Sequence, residues 1–138
     1  EVIFSNKLLT CVNDSKATSF EASVQSLENH NKIYWIVGGL PKHQDKFDFN
    51  NLSKNIIKAY IIGKKTSFFA KKIKNNLSYK LSYNIGNALK NIYLDIKKRE
   101  DKGFTILLSP AAASYDQFNN FEERGNYFRS LIIKKFHV

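Results

Sequence analysis

Methionine is missing from this sequence even at position 1, and cysteine occurs only once among 138 residues. The first absence points to a piece of a longer protein. The second excludes an internal disulfide and a cysteine-based zinc framework. The single thiol, Cys11, lies inside the apolar run Leu8-Leu9-Thr10-Cys11-Val12, the setting of a small buried residue rather than a reactive one. No apolar run approaches the roughly 20 residues that span a bilayer. The start also lacks the basic-then-apolar pattern of a secretory signal, so the expected location is the cytoplasm. Histidine is scarce too: His30, His43 and His137 are scattered, none has a second His or Cys at ligand spacing, and each reads as a surface residue. No metal site is expected. A Gly-x-Ser-x-Gly nucleophile elbow is absent. Gly63-Lys64-Lys65-Thr66 falls short of a phosphate-binding P-loop, which needs glycine where Lys58 stands and Ser or Thr where Lys65 stands.

Positive charge is what the chain has in excess, with a formal net charge of +10. Nearly all of it is lysine. Lys64, Lys65, Lys71, Lys72, Lys74, Lys97, Lys98, Lys134 and Lys135 fall on predicted helices or their ends, interleaved with apolar positions, as solvated faces do. Only Arg99, Arg124 and Arg129 offer the planar fork that reads phosphate or guanine geometry, and no aromatic pair recurs at the spacing of an RNA-binding strand. The distribution argues against a nucleic-acid partner and leaves electrostatic attraction of small anions.

With 43% hydrophobic residues, positions 1–138 suit one compact domain with a proper core and no room for a second. Positions 1–4 and 8–12 read as two short strands that can close a hairpin. A helix is predicted over 19–29. Ile33-Tyr34-Trp35-Ile36-Val37 is a continuous apolar run, the mark of a strand covered on both faces. A short helix over 50–56, a buried strand over 59–62 and a helix over 66–74 follow. After a weak strand over 79–81, Ile85, Ala88, Leu89, Ile92 and Ile96 repeat at three- and four-residue steps, the period of a helix packed on a sheet. Phe104-Thr105-Ile106-Leu107-Leu108 is the last strand, and 121–136 the last helix. This alternation predicts an α/β fold, a mostly parallel sheet with helices on both faces, with no internal repeat and no linker.

Three segments follow predicted strands, where the loops of an open parallel sheet gather and bind small anionic ligands. The first is Asn13-Asp14-Ser15-Lys16-Ala17-Thr18. Thr18 or Ser19 can simply cap the next helix; equally, exposed N–H groups, a positive helix end, a lysine and a hydroxyl suit a carboxylate or phosphate. The second is Gly38-Gly39-Leu40-Pro41-Lys42, in which the glycines permit close backbone approach while Lys42 alone reads as a solvated loop residue. The third runs from Leu108 to Gly125, with small residues up to Ser114 and then aromatics alternating with amides and charges. It is either a tight crossover or a site. If the last helix begins near Asn120, the Phe121 amide is among its unpaired N–H groups, and Ser114 Oγ with that amide could hold one carboxylate.

Together these loops resemble one family, the Mur ligases, and within it the branch that adds D-glutamate. The family's Asn-Asp-Ser-Lys-Ala-Thr-Asn motif matches residues 13–18 and fails only at Ser19. Its Leu-Ser-Pro-Ala-x-Ala-Ser-x-Asp-x-Phe-x-Asn-Phe-Glu-x-Arg-Gly motif matches residues 108–125, with Ala112 where cysteine is common, and residues 33–42 are similar to its strand and lysine loop. The resemblance covers essentially the whole chain. It implies a Rossmann-like, three-layer carboxy-terminal domain, one of three in the complete ligase, and an ATP-dependent step of cytoplasmic peptidoglycan synthesis through an acyl phosphate. By resemblance, Thr18 and Lys42 hold the α-carboxylate of D-glutamate, and Ser114 and the N–H of Phe121 hold its side-chain carboxylate. Asp14 hydrogen-bonds the ATP ribose, Tyr115 lines the nucleotide side, and Lys16 faces the reacting centre. The P-loop, the magnesium ligands and the pocket for UDP-N-acetylmuramoyl-L-alanine belong to upstream domains, so the chain alone is expected to fold as a monomer without catalysing ligation. The alternative is a stand-alone α/β module for small anions or nucleotides.

Overall fold

A computed structural model describes residues 1–136; His137 lies outside the described residues. Strands β1 (Val2–Ser5) and β2 (Leu9–Asn13) form the expected antiparallel hairpin. Asn6 Oδ1 closes its turn by accepting from the amides of Leu8 and Leu9 at 2.8 and 3.0 Å. Helix α1 (Phe20–Asn29), strand β3 (Ile33–Gly38), strand β4 (Ile56–Ile62), helix α2 (Thr66–Ile73), strand β5 (Tyr79–Tyr83), helix α3 (Ile85–Lys97), strand β6 (Phe104–Leu108) and helix α4 (Phe121–Phe136) follow. The sheet runs β1-β2-β6-β3-β4-β5, and every pairing after the hairpin is parallel. This is the α/β architecture expected from the alternation of apolar runs and amphipathic helices.

Why the strands are so apolar follows from the two cores they separate. In β3, Ile33, Trp35 and Val37 face Phe20 and Leu27 of α1 and Phe69 and Ile73 of α2. Tyr34 and Ile36 point the other way, into a core with Ile85, Leu89 and Ile92 of α3 and Phe128 and Ile132 of α4. A strand covered on both faces needs no polar alternation. Cys11 is fully buried in this second core, and burial pushes its thiol up to about 12, the expected inert residue.

Two boundaries differ from expectation. The helix read over 50–56 is only a 3-10 turn, Leu52–Asn55, and β4 begins at Ile56 rather than at position 59. Lys58 interrupts the apolar run and disguised its first half. In the fold its ammonium meets Asp95 of α3 at 3.1 Å, and Tyr60 donates to the same carboxylate oxygen at 2.6 Å. Burial raises the Asp95 carboxyl, but the hydrogen bonds from Tyr60 and Lys58 and the charges of Lys58 and Lys98 outweigh it and hold it below its usual range. A depressed carboxyl stabilises the fold above its unfolded value of about 4 and loses that contribution as pH falls through the folded value. Asp95→Asn is therefore expected to lower the urea midpoint at pH 7 and to converge with the native chain at low pH. Parallel curves at every pH would refute this.

Tyr34 carries a buried hydroxyl with no partner among the described residues. Burial also raises its pKa. An unsatisfied buried hydroxyl gives nothing back for its lost hydration, so Tyr34→Phe is expected to leave stability unchanged or to raise it by about 1 kcal/mol. Denaturant titration measures this, and a clear loss would mean the hydroxyl finds a partner in solution.

Candidate substrate-binding site

Adjacent strands β2 and β6 send their following helices to opposite faces, since α1 packs on one core and α4 on the other. Such a reversal opens a crevice at the carboxyl edge, where α/β sheets bind ligands. All three loops singled out in the sequence leave this edge: β2 ends at Asn13 beside Leu108 of β6, and Leu108 pairs with Ile36 of β3.

The loops are tied to each other directly. Leu40 and Ala113 exchange backbone hydrogen bonds at 2.8 and 3.1 Å, an isolated antiparallel bridge that sets the Lys42 loop beside Ser114. Gly39 makes this possible, because a Cβ on it would sit 2.3 Å from the Ala113 carbonyl oxygen. In the first loop Asn13 Oδ1 accepts from the Ser15 amide at 3.0 Å, and Ser15 Oγ donates to the Phe121 carbonyl at 2.7 Å. Arg124 lies beneath all of this at 1% exposure. It donates from Nε to Ser15 Oγ, from Nη2 to the Ser15 carbonyl and from Nη1 to the Ala112 carbonyl, at 2.9, 2.6 and 2.9 Å.

The choice left open between Thr18 and Ser19 is resolved. Ser19 caps α1, accepting from the Ala22 amide at 3.2 Å, and the Thr18 hydroxyl makes no hydrogen bond among the described residues. At α4, Asn120 Oδ1 accepts from the Glu123 amide at 2.7 Å, so the helix starts at Phe121 and the amide of Phe121 has no acceptor among the described residues. Ser114 is buried, with its Oγ equally unengaged. Lys16 and Lys42 are exposed and form no ion pair there. Two cations, two hydroxyls and one helix-end N–H are thus unspent at one edge, the equipment for binding carboxylates.

Asp14 is better held than the sequence suggests. Its Oδ2 accepts from Ser26 and Ser109, each at 2.7 Å, which fixes the carboxylate and leaves its other oxygen unbonded among the described residues. The Ser109 carbonyl in turn accepts from Trp35 Nε1 at 2.7 Å and Ser23 Oγ at 3.2 Å, anchoring the loop to the core. Tyr115 is 69% exposed beside this loop, and Asp116 Oδ2 accepts from the Lys64 amide at 3.2 Å, which joins the β4 loop to the β6 loop. Reading the sequence alone missed Ser26, Ser109, Asp116 and the clamping role of Arg124. Their partners are backbone groups or residues distant in the chain.

A polar cleft of about 310 Å³ lies between Asn13, Ser15, Lys16, Phe121, Glu122 and Asn126. An apolar cavity of about 340 Å³ occupies the opposite, amino edge of the sheet, between Phe4, Leu9, Tyr93, Ile96, Phe104 and Phe136. Lys16 and Phe121 line the polar cleft, and the loops that carry Thr18, Lys42 and Ser114 leave the same edge of the sheet, which makes that edge the candidate site. Among the described residues no group of three or more His, Cys, Asp or Glu could hold a metal ion, and no helix is long and apolar enough to cross a membrane.

Known proteins bear on this edge. Proteins named UDP-N-acetylmuramoylalanine--D-glutamate ligase are similar to this chain: that of Agrobacterium fabrum is 40% identical over 120 residues, 87% of this chain and 26% of its own length. That of Chelativorans sp. is 41% identical over 121 residues, 88% and 26%, and that of Bartonella henselae 39% over 123 residues, 89% and 26%. The chain matches the carboxy-terminal domain of the D-glutamate-adding Mur ligases. No protein-family model matches it. The chain spans about a quarter of the length of the curated relatives it matches. The family resemblance seen in the loop motifs is thereby established, and those motifs are the segments that the fold gathers at the carboxyl edge.

Proposed function

We propose that this domain delivers D-glutamate in the ATP-dependent extension of UDP-N-acetylmuramoyl-L-alanine, a cytoplasmic step of peptidoglycan synthesis. The observation that carries the reading is the convergence of unspent donors on one edge, in loops whose motifs match the D-glutamate ligases. Thr18 and Lys42 hold the α-carboxylate, while Ser114 Oγ and the Phe121 N–H hold the side-chain carboxylate. Holding both ends of the amino acid fixes the direction of its amine, which raises the rate and selects the D-isomer. Asp14, oriented by Ser26 and Ser109, keeps one oxygen for the ribose of ATP, and exposed Tyr115 lines the nucleotide.

The amine attacks the alanyl carboxyl carbon, activated as an acyl phosphate; the C–N bond forms and phosphate leaves. Lys16 steadies the negative charge that builds on the carbonyl oxygen, a role suited to a cation at the reacting centre. Metal ligands, P-loop and the uridine-nucleotide pocket are assigned to other parts of the parent ligase, a monomer, and this domain alone does not ligate.

Backbone amide shifts of the isotopically labelled chain, titrated with D-glutamate and then L-glutamate, test the assignment. Shifts confined to Thr18, Lys42, Ser114 and Phe121 and larger for the D-isomer are expected. Equal responses to both isomers would instead support the alternative module for small anions, since a positive edge binds any small dicarboxylate.

A further inference from the structure

Arg124 is 1% exposed, yet no carboxylate lies within ion-pair distance of it among the described residues. A buried charge without a direct ion-pair partner is unfavourable unless hydrogen bonds and nearby opposite charge compensate. Here the three hydrogen-bonding oxygens each belong to a site loop, and the charge of Asp116, on the third loop, adds to them. Burial pulls the guanidinium pKa down to about 10, which still leaves it charged at neutral pH. Its planar fork serves the Ser15 hydroxyl, the Ser15 carbonyl and the Ala112 carbonyl at once, a pattern that a lysine ammonium cannot reproduce.

The consequences of this clamp reach every proposed glutamate contact. Ser15 lies just before Lys16 and Thr18, and its hydroxyl holds the Phe121 carbonyl at the start of α4. Ala112 lies just before Ala113, which carries the bridge to the Lys42 loop, and Ser114. Gly39 closes against the same group, since a Cβ there would lie 3.4 Å from Arg124 Nη1. One rigid cation therefore sets the separation between the loops.

We infer that Arg124 is a positioning and specificity-determining residue for D-glutamate: it fixes the distance and angle between the Thr18–Lys42 pair and the Ser114–Phe121 pair, and hence which amino-dicarboxylate spans them. The inference rests on the D-glutamate reading above. Arg124 touches no substrate; it acts through the loops it joins. A misplacement of either pair should weaken binding and blur the distinction between isomers, whereas a purely structural role should only reduce the fraction of active enzyme.

The test uses the full parent chain with Arg124→Lys, which keeps size and charge, and Arg124→Ala. Both are expected to raise the KM for D-glutamate by about tenfold or more and to narrow the preference for D- over L-glutamate by a similar factor. Millimolar guanidinium added to Arg124→Ala should restore part of both. If Arg124→Ala does not fold, Arg124→Lys carries the test alone. A lysine variant with native KM and native isomer preference, or one that loses only kcat, overturns the inference. A native parent chain that does not turn over D-glutamate overturns the functional reading itself. In that event amide hydrogen exchange reads the clamp: joint loss of protection over 13–18 and 109–114 in Arg124→Lys upholds Arg124 as the device that joins the loops, and unchanged protection overturns it.

Discussion

Gly38→Ala is expected to destabilise the chain by about 2–5 kcal/mol, a large share of the stability of a domain this size. Gly38 ends β3 at φ +128°, where an L side chain is strained. A Cβ built there would lie 2.1 Å from the Ile62 carbonyl oxygen and 3.0 Å from its carbonyl carbon and its nitrogen. These are backbone atoms of β4, in the middle of the sheet, so relief requires the two strands to part. They part at the carboxyl edge, where the Gly38 amide also donates to the Pro110 carbonyl at 2.9 Å. Gly103→Ala is the control: φ is +84°, but nothing lies within 4 Å of the added atom. It should cost only the local strain, about 1–2 kcal/mol. Urea midpoints separate the two, and equal losses would show that the close approach to Ile62 relaxes freely.

The second large effect is on binding. In the parent ligase, Lys42→Ala and Ser114→Ala are each expected to raise the KM for D-glutamate by about ten- to a hundredfold, the equivalent of a lost hydrogen bond to a charged group. The KM for ATP should change little, because neither side chain is assigned to the nucleotide. Neither residue forms a competing side-chain hydrogen bond among the described residues, so each truncation removes the proposed ligand contact without opening a buried network. Comparable increases in both constants would mean that the two loops serve a common conformational step rather than the amino acid itself.

The main elements of this fold were legible because the strands are buried on both sides. Ile33 to Val37 and Phe104 to Leu108 read as continuous apolar runs, and both are buried throughout. Helix α3 was equally plain, with Ile85, Ala88, Leu89 and Ile92 buried at the predicted spacing. The start of β4 was not. Lys58 breaks its pattern, and the acid that accommodates the lysine lies 37 residues away. The same limit hides the clamp: the sequence shows Arg124 as a planar fork within a motif, but two of its three acceptors are carbonyl oxygens, which no side-chain pattern reveals. Thr18 and Ser19 are interchangeable as caps in sequence, and only geometry frees the former. The site loops were visible as motifs, while the bonds that hold them together were not.

The position of β6 has a consequence for how the molecule comes into being. Being the last strand in sequence, it nonetheless lies between β2 and β3, near the centre of the sheet. A chain emerging from the ribosome therefore has β2 and β3 available long before the strand that must separate them, and Asp14 waits 95 residues for Ser109. Non-local pairing of this kind is slow to form and leaves strand edges open meanwhile. Nascent or truncated chains that lack the final segment cannot assemble the carboxyl edge at all. Only when β6 has entered between β2 and β3 do the three loops come together at one edge.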